Sequence, residues 1–62
     1  MRNYLFEIIT EDSEFEGYQF LVQETSKENA LKVAQENFPE ELLEYGGKMS
    51  DFEAEMWGLD TF

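Results

Sequence analysis

Two short runs decide what this chain can build. In the first, Tyr4, Phe6 and Ile8 alternate with Leu5, Glu7 and Ile9; in the second, Tyr18, Phe20 and Val22 alternate with Gln19, Leu21 and Gln23. A period of two is the strand period, because successive side chains leave a pleated backbone on opposite sides. Residues 10–17, TEDSEFEG, join the runs by a polar link that ends in glycine, so the pair predicts a β-hairpin. Its core face carries Tyr4, Phe6, Ile8, Tyr18, Phe20 and Val22. The other face is mixed, with Leu5, Ile9 and Leu21 forming an apolar patch that calls for a cover or a partner.

The period then changes. Thr25 is the expected N-cap of a helix, with Glu28 three residues on completing a capping box. Ala30, Leu31, Ala34 and Phe38 recur at helical spacing and are expected to face inward, with Val33 at the margin. Pro39 disfavours helical geometry at Phe38 and ends the element. In ELLEYGGKMS, Leu43, Tyr45 and Met49 offer a third strand, and Gly46-Gly47 marks a bulge or turn. SDFEAEMWGL repeats the start signal with Ser50 and Glu53, and puts Phe52, Met56 and Leu59 on one face before Gly58 stops the turn. That stripe is expected to be core. The whole predicts one domain over residues 1–62 of the α+β class: a small antiparallel sheet, hairpin plus third strand, packed on one helix with a short C-terminal helix or turn.

A chain of 62 residues hides only ~60% of the surface its unfolded form exposes, so its core is marginal. Small chains usually use a staple, but without Cys or His there is neither a disulfide nor a Cys/His zinc site. Six Phe, three Tyr and one Trp supply the remaining routes, dense packing or oligomerisation. MRNYLFEIITED lacks the run and the cleavage site of a signal peptide, and nowhere do about 18 apolar residues follow one another. The expectation is a soluble protein of the cytoplasm.

Charge excludes more. Fifteen acids against four bases give a net charge of −11. Spread over a surface of roughly 4,000 Å² from the size scaling law, that field repels nucleic acid and anionic membrane and steers the protein toward basic surfaces. No direct contact with nucleic acid or membrane is expected.

Chemical constellations are weak. Asp12, Glu14, Glu16 and Gly17 follow part of the calcium-loop pattern, but its final bidentate glutamate is replaced by Gln23 and its flanks are strands. With no His or Cys, a serine nucleophile needs a lysine base, and Lys27, Lys32 and Lys48 all lie in polar or cap-like contexts. Carboxylate pairs for hydrolysis need a cleft for which a chain this small has little room. No catalytic residue, metal ligand or cofactor is expected.

Two acidic stretches remain. In extended chain, alternate residues stand about 6.8 Å apart, so Asp12, Glu14 and Glu16 can present a row of charges at roughly phosphate spacing. A basic groove that releases counterions on binding DNA would accept such a row. The C-terminal DFEAEMWGLDTF mixes Asp51, Glu53, Glu55 and Asp60 with large apolar residues. There Trp57 has two readings, core closure, which is preferred, and interface anchor.

In size, charge and element order, though in no diagnostic motif, the chain resembles the small acidic proteins that phages and mobile elements encode against host defence, anti-CRISPR proteins and other inhibitors that imitate DNA. The resemblance implies stoichiometric inhibition in the host cytoplasm of a basic nucleic-acid-binding protein, a CRISPR effector among the candidates. The contact patches then expected are Glu11, Asp12, Glu14 and Glu16 on one side and Asp51, Glu53, Glu55 and Trp57 on the other. A different class is the alternative: a structural or regulatory module that homodimerises through Leu5, Ile9 and Leu21.

Overall fold

Alternation in the two runs is realised as an antiparallel pair, β1 (Arg2–Ile8) and β2 (Gln19–Glu24), in which Tyr4 lies opposite Val22 and Phe6 opposite Phe20. The computed structural model describes residues 1–62 and adds α1 (Lys27–Asn37), β3 (Leu43–Met49), α2 (Asp51–Trp57) and β4 (Asp60–Thr61). The strands form one sheet in the order β3-β1-β2-β4. The α+β class is as expected. The sheet, however, is mixed rather than wholly antiparallel, because β4 joins β2 in parallel through Phe20↔Asp60 and Leu21↔Thr61.

Connectivity explains where the helices lie. The link from β2 to β3 crosses β1, and the link from β3 to β4 returns across β1 and β2. Two crossovers of one hand that run in opposite directions must use opposite faces of the sheet. Accordingly α1 packs on the face of Tyr4, Phe6, Ile8, Phe20 and Val22, where its Ala30 and Ala34 complete the buried core. The second helix takes the other face, beside Asn3 and Gln23.

Local signals explain the boundaries. The N-cap of α1 is Ser26, not Thr25: its Oγ accepts from Asn29 N at 3.2 Å, while Thr25 Oγ1 accepts from the Asn29 side chain. Both neighbours carry hydroxyls, and the one-residue shift puts Asn29 where the capping box needs an acid. Leu31 is exposed rather than core, since it lies about 100° around the helix from Ala30. At α2 the capping box does form, with Ser50 Oγ accepting from Glu53 N at 3.1 Å and Glu53 accepting from Ser50 N. Gly58, at φ 64°, then ends the helix in the left-handed region that glycine tolerates. The Gly46-Gly47 pair is a bulge: pairing shifts from Leu5↔Gly47 to Phe6↔Tyr45, leaving Gly46 over. A Cβ on Gly46 would come within 2.9 Å of Leu5 Cδ2, so the glycine lets Leu5 lie down on the backbone.

The second face is largely covered within the chain, which takes up much of the apolar patch of Leu5, Ile9 and Leu21 expected to be open to a partner copy. Leu21 is fully buried and Leu5 half-buried, leaving only Ile9 exposed. Asn3 holds the cover in place. This residue is 2% exposed; its Nδ2 donates to Met49 O at 3.2 Å and to Asp51 Oδ1 at 2.8 Å, and its Oδ1 accepts from Gln23 Nε2 at 3.1 Å. It thus joins β1, β2, the end of β3 and the start of α2.

Asn3→Ala should lower stability by about 1–3 kcal/mol, because it strands polar partners that have left water. Urea unfolding measures this. An unchanged midpoint would mean that β4 alone holds α2.

Candidate functional site

Residues 10–17 are not extended. Ser13 N donates to Thr10 O at 3.4 Å, Glu16 N to Ser13 O at 3.1 Å and Tyr18 N to Phe15 O at 2.9 Å, so the link is a succession of tight turns. Asp12 adopts φ 61° and Gly17 φ 84°, residue types that tolerate the left-handed region. Ser13 Oγ accepts from Phe15 N at 3.1 Å. The row of charges at strand spacing expected for Asp12, Glu14 and Glu16 is therefore absent, because short-range bonds from Ser13 favour turns over extension. The link is also anchored. Phe15 meets Phe38 edge-on at 5.7 Å, and Ser13 Oγ donates to Glu41 Oε1 at 2.7 Å.

Folding recruits further acids to this end. Glu11, Asp12, Glu14 and Glu16 are all exposed on the turns. Glu7 and Glu44 lie opposite each other where β1 and β3 approach the link, and Glu40 and Glu41 follow the end of α1. Glu36 sits in the last turn of α1, where the helix dipole is already negative and no basic residue answers it. The cations lie elsewhere. Arg2 is opposite Glu24 and Lys48 opposite Tyr4, Lys27 opens α1 with Nζ 4.4 Å from the Tyr45 ring, and Lys32 is mid-helix. The result is an acidic pole without a cation, notched by an apolar hollow between Phe15, Phe38 and Pro39. Its carboxylates do not gather in threes at metal-binding geometry.

The second expected patch begins at the opposite end. Asp51 is tied to Asn3 near the start of β1, whereas the link leaves its far end at Ile9, about 20 Å away at strand rise. In a molecule 32 Å long, Asp51 and the start of α2 therefore stand well away from Glu11, Asp12, Glu14 and Glu16, while the chain after Trp57 returns toward the link, where Asp60 accepts from the Tyr18 hydroxyl. Asp51 and Glu53 also have structural bonds, to Asn3 and Ser50. Glu55 has none.

The orientation of α2 reverses the expectation. Phe52 and Met56 are each 71% exposed and Trp57 is 64% exposed, so neither the Phe52/Met56 stripe nor Trp57 is core. Residues toward the sheet are Asp51, Ala54, Glu55, Gly58 and Leu59, of which Glu55 lies at the margin and keeps its carboxylate in solvent. Ala54 and Gly58, with the bonded Asp51, let the helix approach, and the Asn3–Asp51 bond together with β4 fixes its rotation. The C-terminal aromatic that does reach the core is Phe62, itself 41% exposed, whose ring meets Phe20 at 5.2 Å and Phe38 at 5.6 Å, both edge-on. No helix is long and apolar enough to cross a membrane. No protein-family model, curated protein or solved structure matches the chain.

The sequence counts Glu7, Glu40, Glu41 and Glu44 with the loop acids in one negative surface but does not gather them, or Glu36, at one end, since only strand register and helix direction bring them there. Nor does it mark Phe52 and Met56 as a surface. The Asp51–Ala54–Gly58 spacing was the available signal: a small-residue stripe suited to docking, opposite the apolar one.

The C-terminal segment is held by another bond, from the Tyr18 hydroxyl to Asp60 Oδ2. That hydrogen bond, aided by lost solvation and by the Asp60 charge, raises the Tyr18 pKa from 10.0 to about 12. The folded state favours neutral Tyr18, so this contribution to stability is complete below pH 10 and disappears as pH rises through about 12. Phenolate absorbance should show one tyrosine titrating late, and Asp60→Asn should bring it back toward the ordinary value. A late titration unaffected by that substitution would rule out Asp60 as the cause.

Proposed function

We propose that the protein is a non-enzymatic inhibitor that occupies the basic nucleic-acid groove of a partner protein, in the manner of anti-CRISPR proteins and other DNA mimics. The observation that carries the reading is the acidic pole. A net charge of −11 over 4344 Å² is about one charge per 400 Å², and the fold increases that density at one end by setting the cations elsewhere. Gathering like charges opposes folding through self-repulsion, so a surface of this kind is costly unless something uses it.

Mimicry here rests on clustering, not on a linear row. The turns of residues 10–17, the Glu7/Glu44 pair and the segment after α1 form a blunt negative end with Phe15 among the acids. A groove lined with Lys and Arg meets complementary charge at long range, which speeds encounter, and an aromatic to bury at short range, which slows release. A guide-loaded CRISPR effector has such a groove.

Competition against labelled duplex DNA, on a panel of purified proteins with basic channels that includes a guide-loaded CRISPR effector, tests the reading. The protein should displace DNA from at least one, less well as salt rises. Glu14→Lys with Glu16→Lys should raise the concentration required by about tenfold, a change of ~1.4 kcal/mol. Displacement that ignores this double reversal would remove the acidic pole from the function.

A further inference from the structure

Of the three hollows on the surface, only the one between Phe15, Phe38 and Pro39 has a mainly apolar lining, and it lies within the acidic pole. It encloses about 210 Å³ and is completed by Asn37, Glu40 and Glu41. Its walls are held from several sides. Phe15 meets Phe38 edge-on at 5.7 Å, Gln35 Nε2 donates to Phe38 O at 2.8 Å and to Glu41 O at 3.2 Å, and Ser13 Oγ donates to Glu41 Oε1 at 2.7 Å. Leu42 N, donating to Thr10 Oγ1 at 2.7 Å, ties the same segment to the start of the link. A recess bonded in this way is formed before a partner arrives, so filling it costs little ordering.

Charge selects the occupant. Glu40 is exposed and bonds to nothing in the chain, and Glu41 uses one carboxylate oxygen on Ser13. Both segments that build the hollow bring carboxylates alone, since no cation lies between Arg2 and Lys27 or between Lys32 and Lys48. Lys32 itself stands more than a turn before Asn37 and about 140° around α1 from it. An apolar side chain would fill the recess but take water from the carboxylates without replacing it. Lysine would answer the charge, yet its compact ammonium is strongly hydrated. Arginine meets both demands, with an apolar stem and a weakly hydrated, planar guanidinium that stacks on aromatic rings and forks to carboxylates. A second copy of this chain is a poor donor, because it has one arginine and brings a further charge of −11.

We propose that the hollow receives one arginine side chain of a partner protein, its stem against Phe15, Phe38 and Pro39 and its guanidinium against Glu40 and Glu41. This rests on the reading of the acidic pole as a partner-binding surface, and it names the side chain that the pole grips.

The test is a titration of the full chain, followed by amide resonances, with a capped Gly-Gly-Arg-Gly-Gly peptide. The amides of Phe15 and of residues 38–41 should move saturably. The lysine peptide should bind at least about threefold more weakly, and the citrulline peptide, neutral but of the same shape, should leave the resonances in place. Phe15→Ala and Glu40→Gln should each weaken the arginine peptide at least about threefold. Glu40 is exposed and unbonded, so its variant keeps the fold, as circular dichroism would verify, and isolates the charge from any loosening of the link. Shifts spread evenly over all the acidic residues, equal binding of the lysine peptide, or binding untouched by Glu40→Gln would overturn the proposal. So would displacement of DNA from a basic protein that both variants achieve as well as the native chain, an outcome that leaves the acidic pole standing. Arginine bound at these amides by a chain that displaces no DNA would support the hollow and remove the DNA-mimic reading instead.

Discussion

The Phe20 ring is the contact around which the molecule is arranged. It stacks on Phe6 at 5.9 Å and on Tyr18 at 5.7 Å, and meets Phe38 at 4.9 Å and Phe62 edge-on at 5.2 Å. Those four partners come from β1, the entry to β2, the end of α1 and the C-terminal segment, so one fully buried side chain joins parts remote in sequence. A chain with no disulfide or zinc staple needs such a hub. Aromatics suit it because each buries a large area for the loss of only two rotatable bonds.

Once this face is closed by aromatics and by Ala30 and Ala34, little apolar material is left for the other. Leu21 is buried there and Leu5 half-buried, and the cover contributes only Ala54 from α2 and Leu59 from the segment after it. A thin second layer cannot be held by burial alone, and the Asn3 bonds supply what packing does not. The bulge at Gly46 belongs to the same solution, since it gives Leu5 room and bends the outer strand, making that free edge a poor template for another chain. The larger apolar residues of α2 then have no place inside. Their exposure follows from the economy of the fold.

Much of this was legible in the sequence. Alternation at Tyr4/Phe6/Ile8 and Tyr18/Phe20/Val22 is a one-dimensional signal that sheet geometry converts directly into a face, and the Ser50–Glu53 box and Gly58 are local signals with local outcomes. Failures arose where local cues were degenerate or distant ones decided. Thr25 and Ser26 are equally good caps until tertiary packing selects between them. The rotation of α2 was misread because Phe52, Met56 and Leu59 have helical spacing, yet a buried Asn and a two-residue strand outweigh hydrophobic pattern in a helix of two turns. β4 is too short to show a period. The acidic pole depends on which way α1 runs and on strand register, neither of which a charge count contains.

The central claim is that the carboxylates around residues 10–17 form one crowded field held against its own repulsion, and urea unfolding at low ionic strength measures that most directly. Neutralising Glu14 and Glu16 to Gln should raise the unfolding midpoint, and the gain should disappear in high salt as the field is screened. The same substitution at Glu28, near Lys27 and Lys32 on α1, should bring no such gain. A midpoint unmoved or lowered by the loop substitutions would show that these acids are merely solvated, and the acidic pole would then lose its claim to be a functional surface.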